Sequence, residues 1–177
     1  ILVFMTQDAL PADRKLIGSL VTAIQENEKV GAAYARQLPK SDCGFLEKYT
    51  RSFNYPSESC LKTEKDLATR GIKTYFCSNV CAAYDHKIYN EIGGFPEHAI
   101  FNEDMIYAGW MVKKGYGVAY VAEARVYHSH NYSCAQQFHR NFDLGVSQAE
   151  HPEIFEGVPS EGEGIRLVKK SMAYLTK

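Results

Sequence analysis

The sequence predicts an α/β fold in which a mixed, mainly parallel sheet is flanked by helices. Residues 1–5 form a short, continuous apolar run, which is typical of a strand that is buried on both faces. Apolar residues recur at helical spacing within residues 12–26, and this pattern predicts a surface helix that packs on the sheet. Val30–Leu38 is then predicted to be the next strand, which Pro39 ends.

The length of 177 residues fits one domain with a sizeable core. We divide this domain into a core over residues 1–130 and a helical C-terminal extension over residues 131–177. The net charge of −1 argues against a nucleic-acid-binding protein that relies on a bulk positive potential. Any anionic ligand must therefore be held by local groups.

The cysteine content indicates a reducing compartment. The five cysteines are odd in number and include no Cys-x-x-Cys pair, so neither a disulfide framework nor a zinc ribbon is indicated. Cys77 and Cys81 are expected to be small packing residues. No apolar run approaches the roughly 18 residues of a membrane span. We therefore expect a cytoplasmic protein.

The start of the sequence resembles the middle of a buried strand rather than a leader peptide. We infer that an upstream portion is absent from this chain. Two expectations follow: the chain alone should be a poor or inactive catalyst, and its exposed sheet edge should favour self-association.

The middle of the chain is less regular. Residues 40–71 lack a clear period and are expected to form either a functional loop or lid, or a solvated loop with a few buried aromatic residues. Residues 73–83 are predicted to lead into a strand with small residues at its end. A short helix follows, and then a turn at Gly93 and Gly94 that allows close backbone approach.

An acidic pair begins the next predicted helix. Asn102 is expected to cap it, and Glu103 and Asp104 fall in its first turn, where the helix dipole favours carboxylates. Both acids therefore have a purely structural explanation. Trp110 is assigned to the core, and Gly115 is expected to end the helix.

The histidines follow the last predicted strands. Residues 117–121 and 124–128 are predicted to be two short strands around a turn at Ala122 and Glu123. His128 and His130 are two residues apart, so on a strand both would point to the same face and could converge. The alternative is two partly exposed histidines without a shared role.

Two helices are predicted at the end of the chain, over residues 132–148 and 162–177. The second is basic and amphipathic. Such a helix can lie on an anionic membrane surface, although packing on the domain is the commoner arrangement.

Polar groups follow three separate apolar elements. Asp8 comes directly after the first strand, beside Gln7, and in isolation it would be taken for a turn or cap residue. Ligands in open α/β sheets, however, collect at the carboxyl ends of strands. Together with the acidic pair and the histidines, Asp8 therefore predicts one shared site.

The ordered set Gln7 and Asp8, Gly93–Gly94–Phe95, Glu103 and Asp104, and His128 resembles the later part of a family 2 glycosyltransferase of the GT-A fold. The closest branch is the bacterial rhamnosyltransferase-like one. The resemblance implies the C-terminal part of a GT-A domain, without the N-terminal portion that holds the nucleotide. It covers the chain up to about His130.

The resemblance implies an inverting transfer of a sugar, with rhamnose as one candidate, from a nucleotide-diphosphate donor to a hydroxyl of a glycan or lipid-linked acceptor. A divalent cation, Mg²⁺ or Mn²⁺, would be bound by Asp8 and His128, and Gln7 and Asp8 would contact the donor. Asp104 would be the general base. Further candidates for the site are Glu103, His130 and Asn79.

Two other classes of protein are compatible with these residues. A metal-dependent hydrolase would use the same groups with water as the nucleophile. A non-catalytic glycan-binding domain would bind oligosaccharide without metal. Contact with the inner face of the membrane is a further expectation for the transferase.

Overall fold

The computed structural model describes residues 1–158 and 161–175. Its strands are β1 (Leu2–Met5), β2 (Leu10–Pro11), β3 (Val30–Leu38), β4 (Cys60–Lys62), β5 (Cys81–Tyr84) and β6 (Gly117–Tyr127). Its helices are α1 (Leu16–Gln25), α2 (Phe45–Asn54), α3 (Leu67–Arg70), α4 (His86–Ile92), α5 (Glu103–Lys113), α6 (Cys134–Glu150), α7 (Pro152–Phe155) and α8 (Glu161–Leu175). Two short 3-10 turns lie at Glu64–Asp66 and Gly71–Thr74.

The six strands form one sheet in the order β1-β5-β3-β6-β2, and β4 pairs with β6 outside this path. The predicted α/β class and mixed sheet are confirmed, but the expectation of a mainly parallel sheet is wrong. Among the described residues, β3 and β6 are the one parallel pair, and the other pairs are antiparallel. Local periodicity does not encode this, because pairing direction depends on which distant strands become neighbours.

Strand β1 lies at the edge of the sheet and is half-buried, so the expectation of burial on both faces is wrong. Leu2 and Phe4 pack on the main core, whereas Ile1, Val3 and Met5 are 44%, 42% and 48% exposed. Self-association through this edge stays a prediction.

Strand β6 is one continuous strand with an irregular ladder rather than two strands around a turn. Ala35 pairs with Val121, but the next residue, Arg36, pairs with Arg125. Residues 122–124 therefore bulge out of the ladder, and the Ser59 hydroxyl accepts a hydrogen bond from the Ala122 backbone N–H at 2.8 Å there. The predicted interruption lies at the correct place, but it does not separate two strands.

The expectation of an irregular segment at residues 40–71 is wrong over much of its length, because α2, β4 and α3 lie within it. The predicted strand at residues 73–83 is also shorter than expected. Tyr75 and Cys77 are buried in an irregular connection, and only Cys81–Tyr84 pairs with the sheet. The residues before Cys81 are apolar because they are buried, and this made the segment resemble a strand in the sequence.

Helix α5 runs through the main core and buries residues 105–109 together with Met111 and Val112. Gly109 allows α7 to approach closely, because a Cβ atom there would lie 2.4 Å from Cγ2 of Ile154. Trp110 is only partly buried, at the edge of the core, and its indole N–H donates to Glu153 at 3.3 Å.

The start of α5 differs from the expectation. Glu103 and Asp104 lie in its first turn as predicted, but the Asn102 side chain forms no capping hydrogen bond. Asn102 has a φ of 71°, which is a left-handed conformation, whereas a capping residue is usually extended. Gly115, with a φ of 90°, follows the end of α5, as predicted.

The C-terminal helices leave many apolar side chains exposed. Tyr174 of α8 stacks on Phe45 and Tyr49 of α2, with ring centroids 4.8 and 4.5 Å apart. The exposed apolar side chains on α6 and α8 include Phe138, Phe142, Ile165, Val168, Met172 and Leu175. No helix within the described ranges is long and apolar enough to cross a membrane. Lys177, included in the predicted last helix, lies outside these ranges.

All five cysteines lie within the described residues and are free thiols. Cys77 and Cys81 are buried packing residues, as predicted.

Candidate metal and acid–base site

Asp8, His128 and His130 are gathered at one end of the sheet. The Asp8 Oδ2 atom lies 3.3 Å from Nε2 of His128 and 3.4 Å from Nε2 of His130. The two Nε2 atoms are 3.0 Å apart. The three side chains therefore present one oxygen and two nitrogens to a common point.

Both histidines lie just beyond the end of β6, so their convergence has a different cause from the one predicted. The His128 backbone N–H donates to the Leu38 carbonyl at 2.9 Å, which continues the contact between β3 and β6 by one residue. The His130 ring stacks on Tyr132 with centroids 5.0 Å apart. One further backbone hydrogen bond beyond the ladder and a ring stack, rather than strand alternation, bring the two imidazoles together.

The donor separations fit a divalent cation. With metal–ligand bonds of about 2.1 Å, neighbouring ligand atoms lie about 3.0 Å apart in an octahedron and about 3.4 Å apart in a tetrahedron. The separations of 3.0 to 3.4 Å between Asp8, His128 and His130 fall in this interval. The residues present therefore fit a metal centre.

The electrostatics leave the donors in the forms that bind metals. Burial lowers the pKa of His128 to about 4, although the Asp8 carboxylate opposes this shift. Partial burial raises the pKa of Asp8, but the two nearby imidazoles and a backbone N–H act in the opposite direction, and the pKa lies below its usual value. At neutral pH, His128 is therefore neutral and Asp8 is ionised.

A buried polar network lies behind His128. The Gln37 Oε1 atom is 2.9 Å from Nδ1 of His128 and also accepts a hydrogen bond from the Arg51 guanidinium. The Gln37 amide nitrogen donates to the Tyr55 hydroxyl at 2.5 Å and to the Ser78 hydroxyl at 2.9 Å. The sequence alone indicated no role for Gln37 and Ser78, and Arg51 and Tyr55 fell within the segment expected to be irregular.

The acidic pair is held by Asn79, the residue after Ser78. The Asn79 backbone N–H donates to Oδ2 of Asp104 at 2.9 Å, and its side-chain amide donates to Oε1 of Glu103 at 3.0 Å. The Asn79 side-chain oxygen accepts from the Tyr84 hydroxyl at 2.7 Å. Asn79 therefore holds both Glu103 and Asp104. Its peptide bond to Ser78 links this group to the network behind His128.

Asp104 is an unusually basic carboxylate. Burial raises its pKa to about 7, and the negative charge of Glu103 acts in the same direction. The backbone N–H groups of Asn79 and Met105 oppose the shift without cancelling it. A carboxylate with a pKa near neutrality is suited to accepting a proton at physiological pH.

Gln7 is the one predicted site residue that the structure leaves outside these groups. It lies in the turn before Asp8, its side chain is exposed, and it forms no side-chain hydrogen bond within residues 1–158 and 161–175. Contact between Gln7 and a donor stays a prediction.

Comparison with known proteins identifies similar sequences among O-antigen enzymes. The chain is 44% identical over 180 residues to the O-antigen chain rhamnosyltransferase RfbN of Salmonella typhimurium, covering 100% of this chain and 56% of the relative. It is 43% identical over 178 residues to the O-antigen chain rhamnosyltransferase WbaN of Salmonella anatum, covering 99% of this chain and 56% of the relative. The chain thus spans about half the length of the curated relatives that it matches. No protein-family model matches the sequence.

Proposed function

We propose that the protein is a glycosyltransferase that transfers a sugar, and specifically rhamnose, from a nucleotide-diphosphate donor to a hydroxyl of a glycan or lipid-linked acceptor. The observation that carries this proposal is the gathering of Asp8, His128 and His130, which Gln37 and Ser78 link to Asn79, the residue that holds Asp104. The similarity to two rhamnosyltransferases supports the choice of rhamnose. Membership of family 2 and of the GT-A fold is part of the same proposal.

Asp8, His128 and His130 would hold a divalent cation. When bound, this cation would supply charge stabilisation for the departing diphosphate. Two imidazole nitrogens beside one carboxylate suit Mn²⁺ better than Mg²⁺, because Mg²⁺ prefers oxygen ligands. We therefore narrow the expected cofactor from Mg²⁺ or Mn²⁺ to Mn²⁺.

Asp104 is proposed to accept the proton of the acceptor hydroxyl. A base on the side of the sugar carbon opposite the departing diphosphate leads to direct displacement with inversion. Asn79 keeps the Asp104 carboxylate in place through its backbone N–H. Burial is the main cause of the raised pKa of Asp104, and Glu103, which the Asn79 side chain holds, adds to it.

The raised pKa of Asp104 predicts a pH dependence. The rate of transfer should rise with pH through about 7, where Asp104 loses its proton, and should level off above. The pKa of Asp104 is about 7 in the folded protein and 3.8 in the unfolded chain, so folding favours the protonated form. Asp104 therefore stabilises the fold most below pH 3.8, and this contribution to the free energy of unfolding is lost as the pH rises through about 7. A pH–rate profile, with thermal unfolding at each pH, measures both effects. A rate that stays constant from about pH 5.5 to about pH 8.5 would contradict the assignment.

The transferase proposal, like the other activity measurements, is tested on a protein that includes the upstream portion expected to hold the nucleotide. Nucleotide sugars and a mixed acceptor pool are supplied in the presence of Mn²⁺. A transferase forms a new glycoside and releases nucleotide diphosphate only when an acceptor is present. Release of free sugar without acceptor would instead identify the hydrolase. Metal-independent binding of oligosaccharide without turnover would identify the glycan-binding domain.

A membrane surface is the proposed location of the acceptor. Phe138 on α6 and Val168 on α8 are exposed apolar side chains, and α8 also carries the basic residues Arg166 and Lys169, which anionic lipid headgroups would attract. Val168→Asp should weaken sedimentation with anionic vesicles about tenfold, because it removes apolar burial and adds a repelled charge. Ile17→Asp on α1 is the matched control, since Ile17 is also an exposed apolar helix residue. Equal binding by wild type and Val168→Asp would exclude this surface.

A further inference from the structure

We propose that Gln37 is the positioning residue that joins the two halves of the site. Its side-chain oxygen fixes the tautomer of His128. Its amide nitrogen donates to Ser78, and the next residue, Asn79, holds Asp104. This inference rests on the proposed metal role of His128.

The tautomer follows from hydrogen-bond chemistry. An amide oxygen can only accept, so the 2.9 Å contact between Gln37 Oε1 and His128 Nδ1 requires the proton to be on Nδ1. The lone pair of the neutral ring is then on Nε2, which is the atom that lies 3.3 Å from the Asp8 carboxylate. Metal-binding histidines are commonly oriented in this way by a partner on the second ring nitrogen.

The orientation of the Gln37 amide is itself determined by its neighbours. The Arg51 guanidinium has only donors, so the group that it contacts must be the amide oxygen rather than the nitrogen. A flipped amide would place its N–H₂ group against the donors of the Arg51 guanidinium. Arg51 is in turn held by an ion pair with Glu47 at 2.5 Å. The network therefore permits one arrangement of Gln37.

Burial keeps the side chains of the network in one conformation. Gln37 is 3% exposed, Tyr55 is 4% exposed and Ser78 is 9% exposed. A buried polar group that loses its partner keeps the cost of its lost hydration, so each member resists rotation away from the others.

The same network extends to the proposed base. Ser78 accepts from the Gln37 amide, and Asn79, the next residue, donates its backbone N–H to Asp104. A displaced Gln37 would release the Ser78 side chain and loosen the backbone that holds Asp104. Gln37 therefore sets the position of His128 directly and that of Asp104 through Ser78 and Asn79.

Two substitutions separate this positioning role from simple packing. Gln37→Glu retains an acceptor for His128 and Arg51, and the hydroxyl groups of Tyr55 and Ser78 can donate to its second oxygen. Gln37→Met has a similar volume but offers neither a strong acceptor nor a donor. We expect Gln37→Met to lower Mn²⁺ affinity by about 10- to 100-fold and Gln37→Glu to stay within about threefold of wild type. Electron paramagnetic resonance of free Mn²⁺ measures both.

A second measurement does not depend on metal. Nitrogen NMR of His128 in metal-free protein at neutral pH should show the Nδ1–H tautomer in wild type and Gln37→Glu, and a mixture in Gln37→Met. Circular dichroism of each variant identifies samples that have not folded. Wild-type Mn²⁺ affinity in Gln37→Met, or the Nε2–H tautomer in wild type, would overturn the inference. A wild-type protein that binds no Mn²⁺ would instead overturn the proposed metal role, and the NMR result would still test Gln37.

Discussion

Asp104→Asn is expected to slow sugar transfer by about 10²- to 10⁴-fold, which is the usual contribution of a general base. The amide keeps the volume of the carboxylate, and its oxygen can still accept from the Asn79 backbone. The hydrogen bond from the Met105 backbone N–H is lost, and the fold should change little because Met105 lies in the first turn of α5. It cannot accept a proton from the acceptor. Donor binding should stay nearly unchanged, and the loss should therefore appear in kcat. Steady-state kinetics with varied donor and acceptor measures it.

Glu103→Gln is the matched control, because Glu103 is the neighbouring acid and is held by the same asparagine. Equal losses in the two variants would indicate that the charge at the start of α5, rather than a base, supports the reaction. A larger loss in Glu103→Gln would transfer the role of base to Glu103. If neither variant loses activity, both acids are only favourable first-turn residues of a helix.

Asp8→Ala and His128→Ala should each weaken Mn²⁺ binding by more than about 100-fold, since even outer partners of metal ligands contribute about 10- to 100-fold. Both donors lie within 3.4 Å of the other members of the cluster, so neither is easily replaced. His130→Ala should also weaken binding, because His130 supplies the third donor. Isothermal calorimetry with Mn²⁺ and with Mg²⁺ measures the affinities, and wild type should prefer Mn²⁺.

Asp13→Ala and His151→Ala remove the same chemical groups outside the cluster. Asp13 pairs with Arg125 and His151 with Glu153, so these variants should bind Mn²⁺ as wild type does. If Asp8→Ala and His128→Ala also bind like wild type, the cluster is a set of hydrogen-bonded side chains and not a metal centre.

The elements that the sequence predicted well are those with local causes. Strand β3 has the predicted bounds, Val30–Leu38, because an apolar run between polar segments suffices to define it. The acidic start of α5 and the glycine after its end also depend on neighbouring residues alone. The gathering of Asp8, His128 and His130 was expected because polar groups followed separate apolar elements.

The remainder depends on distant contacts. Gln37 is a polar residue near the end of an apolar strand, and this position is a signal in the sequence for a functional or buried polar role. Its partners Arg51 and Tyr55, however, lie on or beside a helix that the sequence pattern does not predict. The pKa of Asp104 was also undetermined from sequence, because repulsion by Glu103 and the helix start act in opposite directions. The structure supplies burial as the largest cause of the raised pKa.

The bulge in β6 has a consequence for insertions and deletions. Val121 and Arg125 pair with consecutive residues of β3, so residues 122–124 have no pairing partner on that strand. An insertion at Glu123, the exposed residue of the three, would leave Arg125 opposite Arg36 and His128 beside Leu38, whereas Ala122 and Ala124 are buried in the core. A single-residue insertion between Arg125 and His128 would instead carry the imidazole away from Asp8. We therefore expect an insertion at Glu123 to retain the site, and an insertion in the three residues that follow Arg125 to disrupt it.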